Sequence, residues 1–246
     1  MNNTPIGYAI AWYFIFLISV TTHEAAHAWA AKRGGDPTAE KGGQVSLNPW
    51  PHIKRSVFGM VIIPIVSIFA IGWPFGFAVT PYDPVWAHNN PRKAGWMAAA
   101  GPLANFVLLL IAFAVIKIGL SAGFFVQPVT MTTRQLVDPS IEGLIGGLAI
   151  FMSMLFSMNL ILFVLNIIPM PPLDGSGVIS LFLKEETARK FNAIVRHPAF
   201  SFVGLLLVWF VFAQFIGYIF VKTMSLIYWG QSFHYTTMFW NGLFFT

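Results

Sequence analysis

The fold class this sequence predicts is an all-α polytopic membrane protein, with about four full transmembrane helices and a re-entrant or kinked apolar hairpin. Three observations lead there. The chain is 57% hydrophobic and 9% charged, where a soluble domain carries about 25% charged residues, so polar side chains are too few to coat a water-facing globule. Four stretches reach the roughly 20 mostly apolar residues that a hydrocarbon-spanning helix needs. The basic residues sit in short clusters between these stretches, where topology signals belong; they form no stripe of the kind nucleic acid requires. Cys is absent, which excludes disulfides and thiolate metal sites and leaves the redox compartment open.

In chain order, the first span is Tyr8–Ala31. Ala28-Trp29-Ala30 resembles a signal-peptide cleavage site, but no Lys or Arg precedes Tyr8 and the apolar stretch is too long for such a leader. Lys32–Arg55 is a polar, Gly-rich connection. Val57–Val79 is apolar but broken by Pro64 and by Gly72-Trp73-Pro74-Phe75-Gly76. Proline removes a backbone donor and clashes with the preceding turn, so this run is expected to kink or reverse. Thr80–Lys93, punctuated by Pro81, Pro84 and Pro91, leads to the second span, Trp96–Ile118. Ser121–Glu142 is a polar link to the third span, Leu144–Ile168. Lys184–His197 reads as a charged amphipathic stretch, Phe200–Val221 as the fourth span, and the aromatic tail from Ser225 as an interfacial segment. With no repeat or appended soluble domain, residues 1–246 are expected to form one membrane-embedded domain.

The far end of the first span carries His23-Glu24-Ala25-Ala26-His27, the H-E-x-x-H pattern of zinc hydrolases. Residues four apart lie on one helix face, so both imidazoles can reach one ion. Glu24, three residues before His27, sits at the edge of that face, where it can take a proton from water without being a ligand. Ionisable groups at bilayer depth cost roughly 2.5–3.5 kcal/mol each on insertion scales, and two His and a Glu without a nearby Lys or Arg call for a compensating cation. The bland alternative is a buried hydrogen-bonding cluster between helices.

A catalytic zinc takes three protein ligands and an open position. His52, His88, His197 and His234 lie in connections or the tail, where solvated or interfacial positions are expected. Asp174 directly follows the third span, in Asn166-Ile167-Ile168-Pro169-Met170-Pro171-Pro172-Leu173-Asp174-Gly175. The prolines prevent a continuous helix and favour extended backbone, and Gly175 permits a tight approach or positive φ. Such irregular backbone is tolerated at membrane depth only where it is buried in protein or lines a cavity. Asp174 is thus a third ligand or the N-cap of a following helix.

Three ordered elements, His23 to His27, Ala100-Gly101-Pro102-Leu103-Ala104-Asn105-Phe106 and Asn166 to Gly175, resemble those of the site-2 protease family of intramembrane metalloproteases. The likeness covers about Tyr8 to Leu183. It implies a three-helix catalytic core over about 8–183, followed by a C-terminal helix and tail over 198–246. It further implies one zinc ion held by His23, His27 and Asp174, with Glu24 as general base and Asn166 steadying the oxyanion. Gly101 and Asn105 fall on the family's Gly-x-x-x-Asn pattern: close packing at the glycine, and Asn105 bonding across helices or to a substrate strand. Leu47-Asn48-Pro49 and Asn90-Pro91-Arg92 look like those of compact bacterial members without regulatory domains. The lysine usual in the preceding loop is missing from Phe75-Gly76-Phe77-Ala78-Val79-Thr80-Pro81.

The catalytic residues must share one side of the membrane. His23 and His27 lie near the end of the first span and Asp174 follows the end of Leu144–Ile168, so an odd number of crossings separates these two helices. Trp96–Ile118 supplies one, and Val57–Val79 is therefore expected to enter and return on one side. On that path every Lys and Arg except Lys117, Arg134 and Lys222 lies on the active-site side, which places the site toward the cytoplasm of a bacterial cell membrane and both termini opposite. The partners expected are the lipid bilayer and a transmembrane protein substrate, with no nucleic acid; substrate recognition falls to the membrane domain or to a separate adaptor. A metal-ion transporter is a rival reading, against which no second cluster of intramembrane ligands forms a relay. A catalytically dead scaffold is another, against which every catalytic position is filled.

Overall fold

The structure, a computed structural model, describes residues 5–195 and 198–229. The aromatic tail beyond Trp229, with His234, and also His197 lie outside the described residues.

No proline interrupts helix α1 (Ile6–Gly34). It closes where Gly35 turns left-handed at φ 103° and Gly35 N–H and Asp36 N–H reach back to Lys32 O and Ala31 O, a glycine-dependent helix ending. The Asp36 carboxylate then accepts from Thr38 N–H (2.9 Å), Thr38 Oγ1 (2.5 Å) and Asp83 N–H (2.7 Å). Burial works to raise its pKa, but these hydrogen bonds and the charge of Lys41 outweigh it, leaving the carboxyl below its usual range.

Helix α2 (Thr38–Lys41) leads to α3 (Pro49–Arg55), capped by the Asn48 side chain accepting from Trp50 N–H. The chain then bends by 114° into a π turn (Phe58–Ile62) and α4 (Ile63–Ile71). Gly72, at φ 77°, ends α4, and the chain runs back without regular structure to Asp83. Phe77 N–H donates to Gly59 O at 3.1 Å. A Cβ on Gly59 would strike Phe77 O, and one on Gly76 would strike Gly59 O and Phe16. The outgoing and returning limbs therefore touch, and the apolar run reverses as its Pro and Gly breaks predict.

After α5 (Pro84–Asn89) comes α6 (Pro91–Ser121), with Pro91 in its first turn, where a missing N–H costs nothing. A two-stranded antiparallel hairpin, β1 (Phe125–Val126) and β2 (Asp138–Pro139), links it to α7 (Leu144–Ile167). The remainder is α8 (Asp174–Val178), a 3-10 turn (Ile179–Leu181), the charged α9 (Glu185–Val195) and α10 (Pro198–Ile227).

α1, α6 and α7 pack against one another as a three-helix core. Among the described residues these three are long and apolar enough to cross a membrane; the bent α3–α4 pair has the composition of a fourth span, and the Gln214–Ile227 part of α10 is apolar. Polarity is inverted relative to a soluble bundle. Ser19, Asn105, Ser153, Ser157 and Asn159 are buried, while Ile10, Phe14, Val107, Leu110 and Ile111 are exposed, as contact with lipid requires.

Aromatic–cation pairs mark both ends of the bundle: Tyr8–Arg134 and Tyr218–Lys222 at one, Trp29–Arg33 and Trp50–Lys54 at the other. Tyr8 and Trp29 share α1, about 30 Å apart at ~1.5 Å per residue, the thickness of the hydrocarbon. At the Tyr8 end, Lys117 Nζ caps Ile227 O at 2.9 Å and the Tyr228 hydroxyl donates to Leu136 O, so both ends of the described chain lie there. The absence of Cys permits a direct check: Lys41→Cys and His88→Cys should react with a membrane-impermeant maleimide from one side and Val129→Cys from the other. Labelling of Lys41→Cys and His88→Cys from opposite sides would mean that the hairpin crosses.

Candidate metal centre

Helix α1 presents His23 and His27 one turn apart, both buried. Their outer ring nitrogens are committed. Asn105 Oδ1 lies 2.5 Å from His23 Nδ1, and Met97 O lies 2.7 Å from His27 Nδ1. A carbonyl oxygen only accepts, so Met97 O takes a proton from His27 Nδ1. The Asn105 amide nitrogen donates elsewhere, to Ser19 O (3.2 Å) and Asn159 Oδ1 (2.9 Å), so Asn105 Oδ1 likewise receives the His23 Nδ1 proton. Both Nε2 atoms thus point inward, where each offers a lone pair in the neutral form of its ring.

The inward atoms converge. His23 Nε2 and His27 Nε2 are 2.9 Å apart, and Asp174 Oδ2 lies 3.0 Å from the first and 3.3 Å from the second. A tetrahedral zinc with bonds of ~2.0–2.1 Å separates its donors by about 3.3 Å. Two imidazole nitrogens and a carboxylate oxygen are also zinc's donor types. The cluster fits the ion, and it is the one group of this kind among the described residues.

Two glycines let backbone approach this point closely. A Cβ on Gly101 would collide with Nε2 of both His23 and His27, so α6 meets the imidazoles with bare backbone. A Cβ on Gly175 would collide with the carbonyls of Ile167 and Ile168, so the residue after Asp174 rests directly on the end of α7. Gly175 is needed for close approach, since its φ is not positive. The prolines do not hold Pro169–Leu173 extended as their composition suggests. The segment folds into bends and a turn, with Met170 N–H on Ile168 O and Leu173 N–H on Met170 O. Gly204 of α10 presses on Pro171 from outside. Asp174 opens α8, whose preceding residue, Leu173, makes no side-chain cap; the carboxylate faces the histidines.

Glu24 is buried beside these groups. Its Oε2 accepts from the Thr80 hydroxyl at 2.6 Å, and that hydroxyl also lies 3.0 Å from Glu24 O. Asn105 bonds across helices, one of the two roles its position suggests. It joins a buried polar chain in which Asn159 Nδ2 donates to Ser19 Oγ (3.0 Å) and Leu155 O (2.8 Å), tying α1, α6 and α7 together. Asn166 stands apart: its amide donates to Leu162 O of its own helix. His88 is exposed as expected. His52 is not solvated but fully buried, with Nε2 3.0 Å from Ser46 O. Sequence reasoning missed Thr80, Met97, Ser19 and Asn159. Ser19 lies four residues before His23 on the same face and Asn159 is an amide within an apolar span, so both carried a signal; Thr80 and the Met97 carbonyl carried none.

An all-α membrane bundle holding a three-donor site between core helix α1 and the start of α8 defines a class of membrane metalloprotein. The chain belongs to peptidase family M50, the site-2 protease family, whose model matches residues 11–211. It is similar to YwhC of Bacillus subtilis (32% identical over 164 residues, 66% of this chain and 64% of that protein). It is also similar to the Rip2 proteins of Mycolicibacterium smegmatis (29% identical over 207 residues, 83% of this chain and 70% of that protein) and Mycobacterium tuberculosis H37Rv (30% identical over 230 residues, 92% and 75%). The names of all three propose a zinc metalloprotease. The chain spans just under two thirds of the length of the Bacillus relative. No solved structure matches it.

Gly101→Ala should abolish zinc retention, read as zinc per chain in purified protein, because its methyl displaces both imidazoles. Asn105→Ala should weaken zinc binding by about 10- to 100-fold in a chelator competition, while leaving a folded helix bundle.

Proposed function

We propose that this chain is an intramembrane zinc metalloendopeptidase that hydrolyses peptide bonds within or near transmembrane helices of other membrane proteins. The observation that carries the reading is the convergence of His23 Nε2, His27 Nε2 and Asp174 Oδ2 beside the buried Glu24. Counted along α1 at ~1.5 Å per residue, the histidines lie about 3–9 Å below the level of Trp29, inside the hydrocarbon near one face.

His23, His27 and Asp174 hold the ion, which when bound supplies Lewis-acid polarisation of water and of a peptide carbonyl. Glu24 takes the proton released from the attacking water and returns it to the leaving amine. Its second oxygen, Oε1, is the atom for this transfer, since Oε2 is held by Thr80. Asn166 serves as an oxyanion donor through the second hydrogen of its amide, the first being given to Leu162 O. A substrate helix must unwind before its carbonyl is reachable, so Gly- or Pro-containing segments open most readily. The belt of Lys and Arg around the site end supports an orientation with that face toward the cytoplasm of a bacterial cell membrane. Residues 1–246 act as one membrane-embedded protease domain, with its catalytic core over about 8–183. Release of a membrane-tethered factor and clearance of leftover signal peptides both suit such a site, with recognition by this domain or by a separate adaptor.

The test compares wild type with Glu24→Gln in detergent. Both should carry one zinc per chain, and cleavage of a model transmembrane substrate should fall by about 10²- to 10⁴-fold in the variant. Equal cleavage by both would remove Glu24 from the reaction. Bound zinc without cleavage of any of a broad substrate panel, together with ion flux into liposomes, would make the chain a transporter.

A further inference from the structure

The returning limb of the apolar hairpin ends on a contact that the family's motifs do not contain. Thr80 is buried, 7% exposed, against a Glu24 that is 6% exposed. Its hydroxyl carries one proton and has two acceptors in reach, Glu24 Oε2 at 2.6 Å and Glu24 O at 3.0 Å. The charged and closer oxygen takes the proton.

Two features make this bond more than incidental packing. The limb is fastened on both sides of Thr80 by groups outside the metal centre: Val79 O accepts from Gln44 Nε2 at 3.1 Å, and Asp83 N–H donates to the Asp36 carboxylate at 2.7 Å. Thr80 is thus a fixed point, and its hydroxyl fixes whatever it bonds. The limb also alternates, with Phe77 and Val79 exposed and Thr80 turned inward. A carboxylate on a Glu side chain has three rotatable bonds. With one oxygen anchored, the other has a defined direction, and the loss of rotamer freedom precedes the reaction instead of opposing it.

We propose that Thr80 is a positioning residue that orients the Glu24 carboxylate through its hydroxyl, so that the hairpin limb is part of the catalytic apparatus and not only its cover. This rests on the reading of Glu24 as the general base. The bond strengthens no substrate contact; its effect belongs in kcat, with KM unchanged.

The experiment uses the full chain in detergent with a model transmembrane substrate, comparing wild type, Glu24→Gln, Thr80→Val and Thr80→Ser. Valine keeps the shape and removes the hydroxyl; serine keeps the hydroxyl and removes the methyl. Thr80→Val should retain zinc and wild-type melting temperature, lose about 10- to 100-fold in kcat, the range for one hydrogen bond to a charged group, and keep KM within about twofold. Thr80→Ser should return kcat to within about threefold of wild type. Wild-type kcat in Thr80→Val, a defect confined to KM, a serine variant as slow as the valine variant, or loss of zinc or fold in Thr80→Val would each overturn the proposal while leaving Glu24 as base. Cleavage unaffected by Glu24→Gln, or absent from zinc-loaded wild type, would instead overturn the underlying reading and the proposal with it.

Discussion

Three electron-pair donors, two imidazole nitrogens and a carboxylate oxygen, face one another at 2.9–3.3 Å at one end of the helix core. Holding them there dictates much of the architecture. One turn of α1 supplies both nitrogens. α7 must run parallel to α1 so that its end delivers Asp174 to the same depth. α6 must run against both, and must offer acceptors to the outer ring nitrogens while keeping its own bulk away from the inner ones. Met97 O, Asn105 and Gly101 meet those demands within little more than two turns.

The second demand comes from lipid. Polar groups buried at this depth are costly without a protein partner. Ser19, Asn105 and Asn159 satisfy one another across three helices, and the same bonds fix the imidazole orientation. Rigidity of the core and orientation of the ligands are therefore one network, with Asn105 in both parts. The apolar hairpin reverses because Gly59 and Gly76 let its two limbs touch.

Much of this was legible in the sequence because the signals were local or restrictive. Four-residue spacing put His23 and His27 on one face, apolar length gave the three core helices, and the Pro and Gly breaks marked the Val57–Val79 reversal. The chemistry of Asp174 could be read, but the path of Pro169–Leu173 could not. Proline excludes helix without choosing between an extended strand and a turn, and the turn depends on packing under Gly204 and over the end of α7. The Thr80–Glu24 contact was out of reach for a different reason. It joins positions 56 apart through a limb whose composition records only that it is irregular. His52 misleads in the opposite direction: a histidine in a polar connection suggests solvent, yet α3 folds it inward onto Ser46 O.

Gly101 has a consequence for how such a site varies. A position with no volume has no intermediate settings: glycine leaves the donor triangle intact, and any Cβ meets both imidazoles at once. Mutational drift cannot adjust metal affinity there by degrees. Gradual change is available only one layer out, at Asn105, Asn159 and Ser19, where a weakened hydrogen bond loosens a ring without removing a ligand. The centre is thus a switch at α6 and a dial in the amide chain behind it.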